Sequence, residues 1–305
     1  MLQTPVVLFN FNRPEQTLRA LEQLTRLNCN KVYLVCDGPR EGNLDDQDSV
    51  ESVRNHLKNW QSSGDKVFFL AERNLGLRER FFSALDSVFA DEDAAIILED
   101  DCVIDDSFFD FAEAALVQYP NSEGVGIVAA HNPMPSQFRQ SVQFDTYPRI
   151  WGWASHGDLW RRFRASPLPN YSDKRFRGKV LRTLGSRTMR LMFAPMMTHS
   201  FSSRTWDVDF ASFCISQDLL NISPPTNLCS NSGLEGNGTN SQEWSSLEVP
   251  KVRTLVNPVR WRKIRKPSFL SNACVDIRRL SRWARASSRS PADALRKIRS
   301  LFELG

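Results

Sequence analysis

The chain has 305 residues, is 41% hydrophobic and 24% charged, and carries a net charge of +4. This composition excludes a disordered or fibrous chain and supplies core material for one large domain or two small ones. No apolar run approaches the roughly 18 to 20 residues that span a bilayer, and MLQTPVVLFNFNRP lacks the basic start and long apolar stretch of a signal peptide.

PVVLF (5–9) reads as a buried strand, and Pro14 opens a helix with Leu18, Leu21, Leu24 and Leu27 along one face. KVYLVC (31–36) is the next strand, ended by the turn pair Asp37-Gly38. Residues 47–60 carry Val50, Val53, Leu57 and Trp60 at helical spacing, and KVFFL (66–70) is a third strand. Residues 76–90 predict a helix with Phe81, Leu85, Val88 and Phe89 inward; AAIIL (94–98) is a fourth strand. Asp105 or Asp106 caps a helix through Tyr119, and GVGIVA (124–129) is a fifth strand. Strands separated by single helices predict parallel pairing and a doubly wound α/β sheet, with ligands outside the carboxyl ends of the strands. Those ends are polar: Asn10 to Arg13, Asp37-Gly38, Glu72-Arg73-Asn74, Glu99-Asp100-Asp101 and His131-Asn132. Neither GxGxxG nor GxxxxGK[ST] occurs, which disfavours ordinary dinucleotide binding and P-loop chemistry.

The second half reads as irregular. PRIWGWASHGDLWRRF (148–163) is aromatic-rich around a glycine, with Leu159, Trp160 and Phe163 inward on a helix, and RTWDVDF (204–210) sets two acids beside an aromatic. SNSGLEGNGTNS (230–241) is a loop by composition. Six scattered cysteines without a CxxC pair read as buried free thiols of a reducing cytoplasm. Charge divides the chain: residues 251–305 hold 15 Lys/Arg against three acids, a net of +12, and the other 250 residues carry a net of −8. The expected organisation is a catalytic domain over 1–250, with halves 1–132 and 133–250, and a basic tail.

The acidic triplet ends an apolar strand, where like charges need a compensating partner. Hard cations such as Mn²⁺ or Mg²⁺ take carboxylate oxygens, often one or two together with substrate phosphates. On extended backbone Glu99 and Asp101 would face one way and Asp100 the other.

Taken in order, PVVLFNFNRPEQTLRALEQL, VYLVCDGPR, AERNLGLRERF, IILEDDCVIDDSFFDF, IWGWASHGDLW and TWDVDF resemble the glycosyltransferase A fold (GT-A). The nearest likeness is to family 2-type nucleotide-sugar transferases, N-acetylglucosaminyltransferase I and its bacterial relatives. The resemblance implies a Rossmann-like, mostly parallel sheet, an acceptor-side half and a nucleotide-sugar donor. It implies that Asp101 ligates the metal, Glu99 holds the ribose or sugar side and Asp100 the donor sugar. Phe9, Asn10, Asn12 and Arg13 would cradle the nucleotide, Asp37 would meet the nucleobase, and Arg73 and Asn74 would reach phosphate or ribose. Trp151, Gly152 and Trp153 would form the acceptor side. An inverting displacement needs one general base, which the likeness puts at Asp207 first and Asp209 second. The chain departs from the bacterial pattern at Asn240, where a histidine is usual. A sugar nucleotidyltransferase, which would want a glycine-rich phosphate loop after the first strand, and a non-catalytic nucleotide-sugar-binding protein are the competing readings.

The tail interleaves Arg with Trp261, Ile264, Phe269, Leu270, Ile277, Leu280, Trp283 and Ala284, the composition of an interfacial helix pair on anionic lipid. It implies a cytoplasmic enzyme peripheral on the inner face of the plasma membrane, a glycan or lipid-linked acceptor in cell-surface polysaccharide synthesis, and no nucleic-acid partner.

Overall fold

The structure, a computed structural model, describes residues 1–120, 124–135, 140–203, 205–231, 250–256, 258–268, 272–274 and 276–277. The first half runs β1 (Val6–Asn10), α1 (Pro14–Leu27), β2 (Lys31–Cys36), α2 (Leu44–Asn59), β3 (Asp65–Leu70), α3 (Leu77–Asp91), β4 (Ala94–Glu99), β5 (Cys102–Ile104), α4 (Ser107–Gln118) and β6 (Val125–Ala129). The second runs β7 (Gln143–Asp145), β8 (Trp153–His156), α5 (Gly157–Ala165), α6 (Lys174–Thr183), α7 (Arg187–Ser203), α8 (Trp206–Ser216), β9 (Leu220–Ser223) and β10 (Cys229–Asn231).

This is an α/β fold on an eight-stranded, mostly parallel sheet of order β3-β2-β1-β4-β8-β6-β9-β7. β1, β2, β3 and β4 pair in parallel, as alternating strand and helix require. β6 does not lie beside β4. The short strand β8 runs antiparallel between them, pairing Ala95 with Ser155 and Val128 with Ala154. A separate two-stranded ribbon pairs β5 with β10.

Both sheet faces are covered, so the central strands are continuously apolar. One face packs under α1, α2 and α4 through Leu21, Leu24, Val53, Leu57 and Phe108. The other packs under α3, α5 and α8 through Phe81, Leu85, Trp160, Phe163 and Phe210. A third cluster joins α6, α7 and α8 around Val180, Phe193 and Ile215.

The inner face of α1 is Thr17, Leu21 and Leu24; Leu18 is 41% exposed, so the expected leucine stripe is shifted. α2 starts three residues before the expected 47, because the Asn43 side chain accepts from the Asp46 amide at 3.1 Å and caps it. Asp105 accepts from the Ser107 amide at 3.0 Å at the start of α4. The second half holds more regular structure than its composition suggests, since α5 and α8 bury Trp160, Phe163 and Phe210 against the sheet, and α6, α7 and α8 bury Phe193 among themselves. The six cysteines are free; Cys274 is exposed, Cys102 half-buried and the other four buried.

The first part of the basic tail is packed onto the body. Trp261 stacks on Phe111, with centroids 5.7 Å apart, and meets Tyr119 edge-on. The Tyr119 hydroxyl donates to the Arg262 carbonyl at 2.7 Å. The Asp276 carboxylate accepts from the Arg187 and Thr188 amides, both at 3.0 Å, and so satisfies open donors at the start of α7. The expected apolar face at Phe269, Leu270, Leu280, Trp283 and Ala284, and Asn240 in its loop, lie outside the described residues. No helix among the described residues is long and apolar enough to cross a membrane.

Candidate active site

The carboxyl ends of β1, β2, β3 and β4 open on one edge of the sheet, and the start of α8 faces it. Phe9 and Glu99 are register partners there, and the Asp100 amide donates to the Phe9 carbonyl at 3.0 Å. The chain then turns at Asp100-Asp101 and leaves along β5.

Strand alternation would group Glu99 with Asp101, and Asp101 is the acid that acts most strongly on Glu99. The turn in addition lets Asp100 and Asp101 share one cation. Arg13 Nη1 donates to Asp100 Oδ1 at 3.0 Å and to Asp101 Oδ2 at 2.9 Å. Asp100 also accepts from the Phe11 amide at 3.4 Å, and Asp101 Oδ1 accepts from Asn231 Nδ2 at 3.2 Å. Arg13 is thus the compensating charge that the triplet needs. Burial lowers its pKa, but Asp100 and Asp101 outweigh that and the net is a rise. Burial pushes the Asp100 carboxyl up to about 6, against the opposing pull of Arg13. Glu99 is pushed well above the usual carboxylate range by burial and then by Asp101, Asp100 and Asp207, so Asp207 lies within electrostatic reach across the site.

Asp207 and Asp209 stand in the first turn of α8 and have different surroundings. Asp209 is buried, accepts from Arg78 Nη2 at 3.2 Å and from the Tyr171 hydroxyl at 2.9 Å, and is thereby held in the protein. Asp207 is half-buried; burial raises its pKa, opposed by the Val208 amide and the Thr205 hydroxyl at the helix start.

Other expected residues take several places. Asn10 donates to the Leu8 and Val35 carbonyls at 3.0 and 3.1 Å, and its buried Oδ1 has no partner among the described residues. Asn12 donates to Asp46 Oδ1 at 2.7 Å; Asp46 is held down at about 2, chiefly by Arg40. Asp37 accepts from the amides of Gly38, Leu75 and Gly76 at 2.8, 2.9 and 3.0 Å, and Asn74 donates to the Gly38 carbonyl at 2.8 Å. These bonds staple the loops after β2 and β3 together. Gly38 allows it: a β-carbon there would sit 2.3 Å from the Arg73 carbonyl carbon. Arg73 is exposed.

Two expected residues have buried rings. Phe9 stacks on Phe81 at 3.8 Å, which stacks on Trp206 at 4.2 Å, so its ring belongs to the core. Trp153 is 1% exposed between Trp206 and Phe210 and has no face open to a sugar. Trp151 is half-buried and stacks on His131 at 5.0 Å. Gly152, at φ 63°, lies where a β-carbon would meet Ile104 at 2.4 Å.

The sequence reading missed Arg78, Tyr171 and Asn231. Asn231 had a signal, the SNSG start of the loop that β10 pairs to β5. No group of three or more His, Cys, Asp or Glu gathers as a metal cage among the described residues. The donor set still fits a hard cation held by one or two carboxylates with substrate oxygens, and Asp101 supplies such a carboxylate.

No family model matches the chain, and no curated protein is similar to it in sequence. Among solved structures it is similar to a mannosyltransferase from Pyrobaculum calidifontis in complex with GDP-mannose and Mn²⁺. That match has 11% identity and a TM-score of 0.45, over 99% of this chain and 80% of the other. It is more loosely similar to a mannose-1-phosphate geranyltransferase from Thermus thermophilus, with 11% identity and a TM-score of 0.35, over 73% of this chain and 74% of the other.

Proposed function

We propose that the chain is a metal-dependent, inverting glycosyltransferase of the GT-A type that moves a sugar from a nucleotide-sugar donor to a hydroxyl of a glycan or lipid-linked acceptor. One observation carries the reading: an acidic turn at the carboxyl end of a central parallel strand has a half-buried carboxyl, Asp207, within electrostatic reach of it. Asp101 holds the Mn²⁺ or Mg²⁺ ion, which when bound neutralises charge on the departing diphosphate. Asn10, whose side chain ties β1 to β2, shapes the backbone at the donor end of the sheet. Glu99 and Asp100 border the donor sugar, and Arg13 binds the diphosphate oxygens. Asp207 takes the proton of the acceptor hydroxyl as its oxygen attacks the anomeric carbon; the bond to the diphosphate breaks and the diphosphate leaves with the electron pair. Burial favours this role, since it brings a carboxyl toward the working pH. Asp209, held by Arg78 and Tyr171, positions α8. Trp151 borders the acceptor.

The basic tail holds the enzyme on anionic lipid at the inner face of the plasma membrane, near a lipid-linked acceptor of cell-surface polysaccharide synthesis. The test is a panel of nucleotide sugars incubated with the full chain and Mn²⁺, with release of nucleoside diphosphate measured. Slow hydrolysis of one donor, abolished by a chelator and restored by Mn²⁺, is expected. Release of pyrophosphate from a nucleoside triphosphate and a sugar phosphate, or turnover of no donor, would remove the assignment.

A further inference from the structure

We propose that Arg13 is the resident counter-ion of the acidic turn and couples the arrival of a divalent cation to the arrival of the donor diphosphate; this rests on the functional reading above. A single nitrogen, Nη1, reaches both Asp100 and Asp101, at 3.0 and 2.9 Å. The Arg13 side chain is 24% exposed, that of Asp100 7% and that of Asp101 17%, so water screens this pair of bonds weakly. The backbone of Arg13 is pinned, because its carbonyl accepts from the Thr17 amide at 3.0 Å and the Thr17 hydroxyl at 2.9 Å. Only the side chain is left to move.

A cation that takes Asp101 needs a carboxylate that Arg13 already holds, and two positive groups at one carboxylate repel. Without a diphosphate, the displaced guanidinium loses its charge-assisted hydrogen bond to Asp101 and gains water. With a diphosphate present, it exchanges carboxylate oxygens for phosphate oxygens, which its planar fork fits equally well. A metal ion alone therefore meets a competitor, and a metal ion with a nucleoside diphosphate does not. Linkage requires the converse, that the metal strengthens nucleotide binding by the same factor.

The experiment is Mn²⁺ binding, followed by loss of the free-ion electron paramagnetic resonance signal. It uses the full chain and the variants R13Q and R13K, each without and with uridine or guanosine diphosphate. In the native chain the nucleotide is expected to tighten Mn²⁺ binding about 5-fold or more, the low end of usual couplings. R13Q is expected to bind Mn²⁺ alone more tightly than the native chain and to gain less from the nucleotide. R13K keeps the charge but not the reach and is expected to move the same way by less; it serves if circular dichroism finds R13Q unfolded. Equal or weaker binding of Mn²⁺ alone by the variants, with the nucleotide effect intact, overturns the proposal and leaves the metal assignment standing. Absence of Mn²⁺ binding in native chain and variants, with nucleotide as without, overturns both.

Discussion

At Asp207, burial raises the carboxyl pKa, while hydrogen bonds from the Val208 amide and the Thr205 hydroxyl work in the other direction without cancelling it. A carboxyl with a raised folded-state pKa contributes stability that is present below its unfolded value and lost as pH rises through the folded value. Asp207→Asn removes that loss. The variant is expected to melt above the native chain at pH 7, with the gap closing toward pH 4, at roughly 2 to 4 °C per kcal/mol. Donor-to-acceptor turnover is expected to fall by about 10² to 10⁴. Asp209→Ala is expected to behave in the opposite way. It takes a shared acceptor from the half-buried Arg78 and the buried Tyr171 hydroxyl and lowers stability by about 1 to 3 kcal/mol in urea melts. Similar effects of both changes would sink the division of roles. TWDVDF displayed both acids, but not which one the protein itself consumes. That choice depends on Arg78 and Tyr171, 131 and 38 residues away in the chain, and no local spacing carries that information.

Two loops, after β2 and after β3, form one unit through the Asp37 carboxylate and the close pass of Gly38 over Arg73. Asp-Gly read as a turn; the structure has an irregular loop there, and the residues beyond β3 that Asp37 holds were not visible. Gly38→Ala is expected to force the loops apart and cost about 1 to 3 kcal/mol. Faster backbone amide exchange at Leu75 and Gly76 would locate the damage, and unchanged exchange there would sink this account of the staple. Elements with strong periodicity were legible: α3 buries Phe81, Leu85, Val88 and Phe89 as its spacing indicates. The strand β8 was not, because four residues of WASH hold too few periods to be told from the loop around them. The acidic turn was legible as chemistry, but the sharing of Arg13 by Asp100 and Asp101 was not, since alternation applies only while the backbone stays extended.

Across the whole molecule, two apolar layers enclose the eight-stranded sheet, and the described residues after 250 pack onto the body through Leu255, Trp261 and Asp276. The charge step at residue 251 is therefore not a structural boundary. A chain ending at 250 is expected to lose stability, by about 1 to 3 kcal/mol from the Trp261 contacts alone. A chain ending at 277 is expected to melt with the native one. That longer truncation also tests the tail: full-length protein should sediment with anionic vesicles at low salt and be released at high salt, while the chain ending at 277 stays in the supernatant. Co-sedimentation of both would move the lipid contact onto the body. The place of β8 bears on how the molecule is made. β4 emerges from the ribosome with one edge paired to β1, and its other edge waits for β8, about 60 residues later. Until Trp153 to His156 have been synthesised, an apolar strand edge stands open at the centre of the future sheet, a template for pairing with another chain. Nascent chains stalled before residue 150 should thus be the ones that chaperones hold longest, and stalling past β8 should release them.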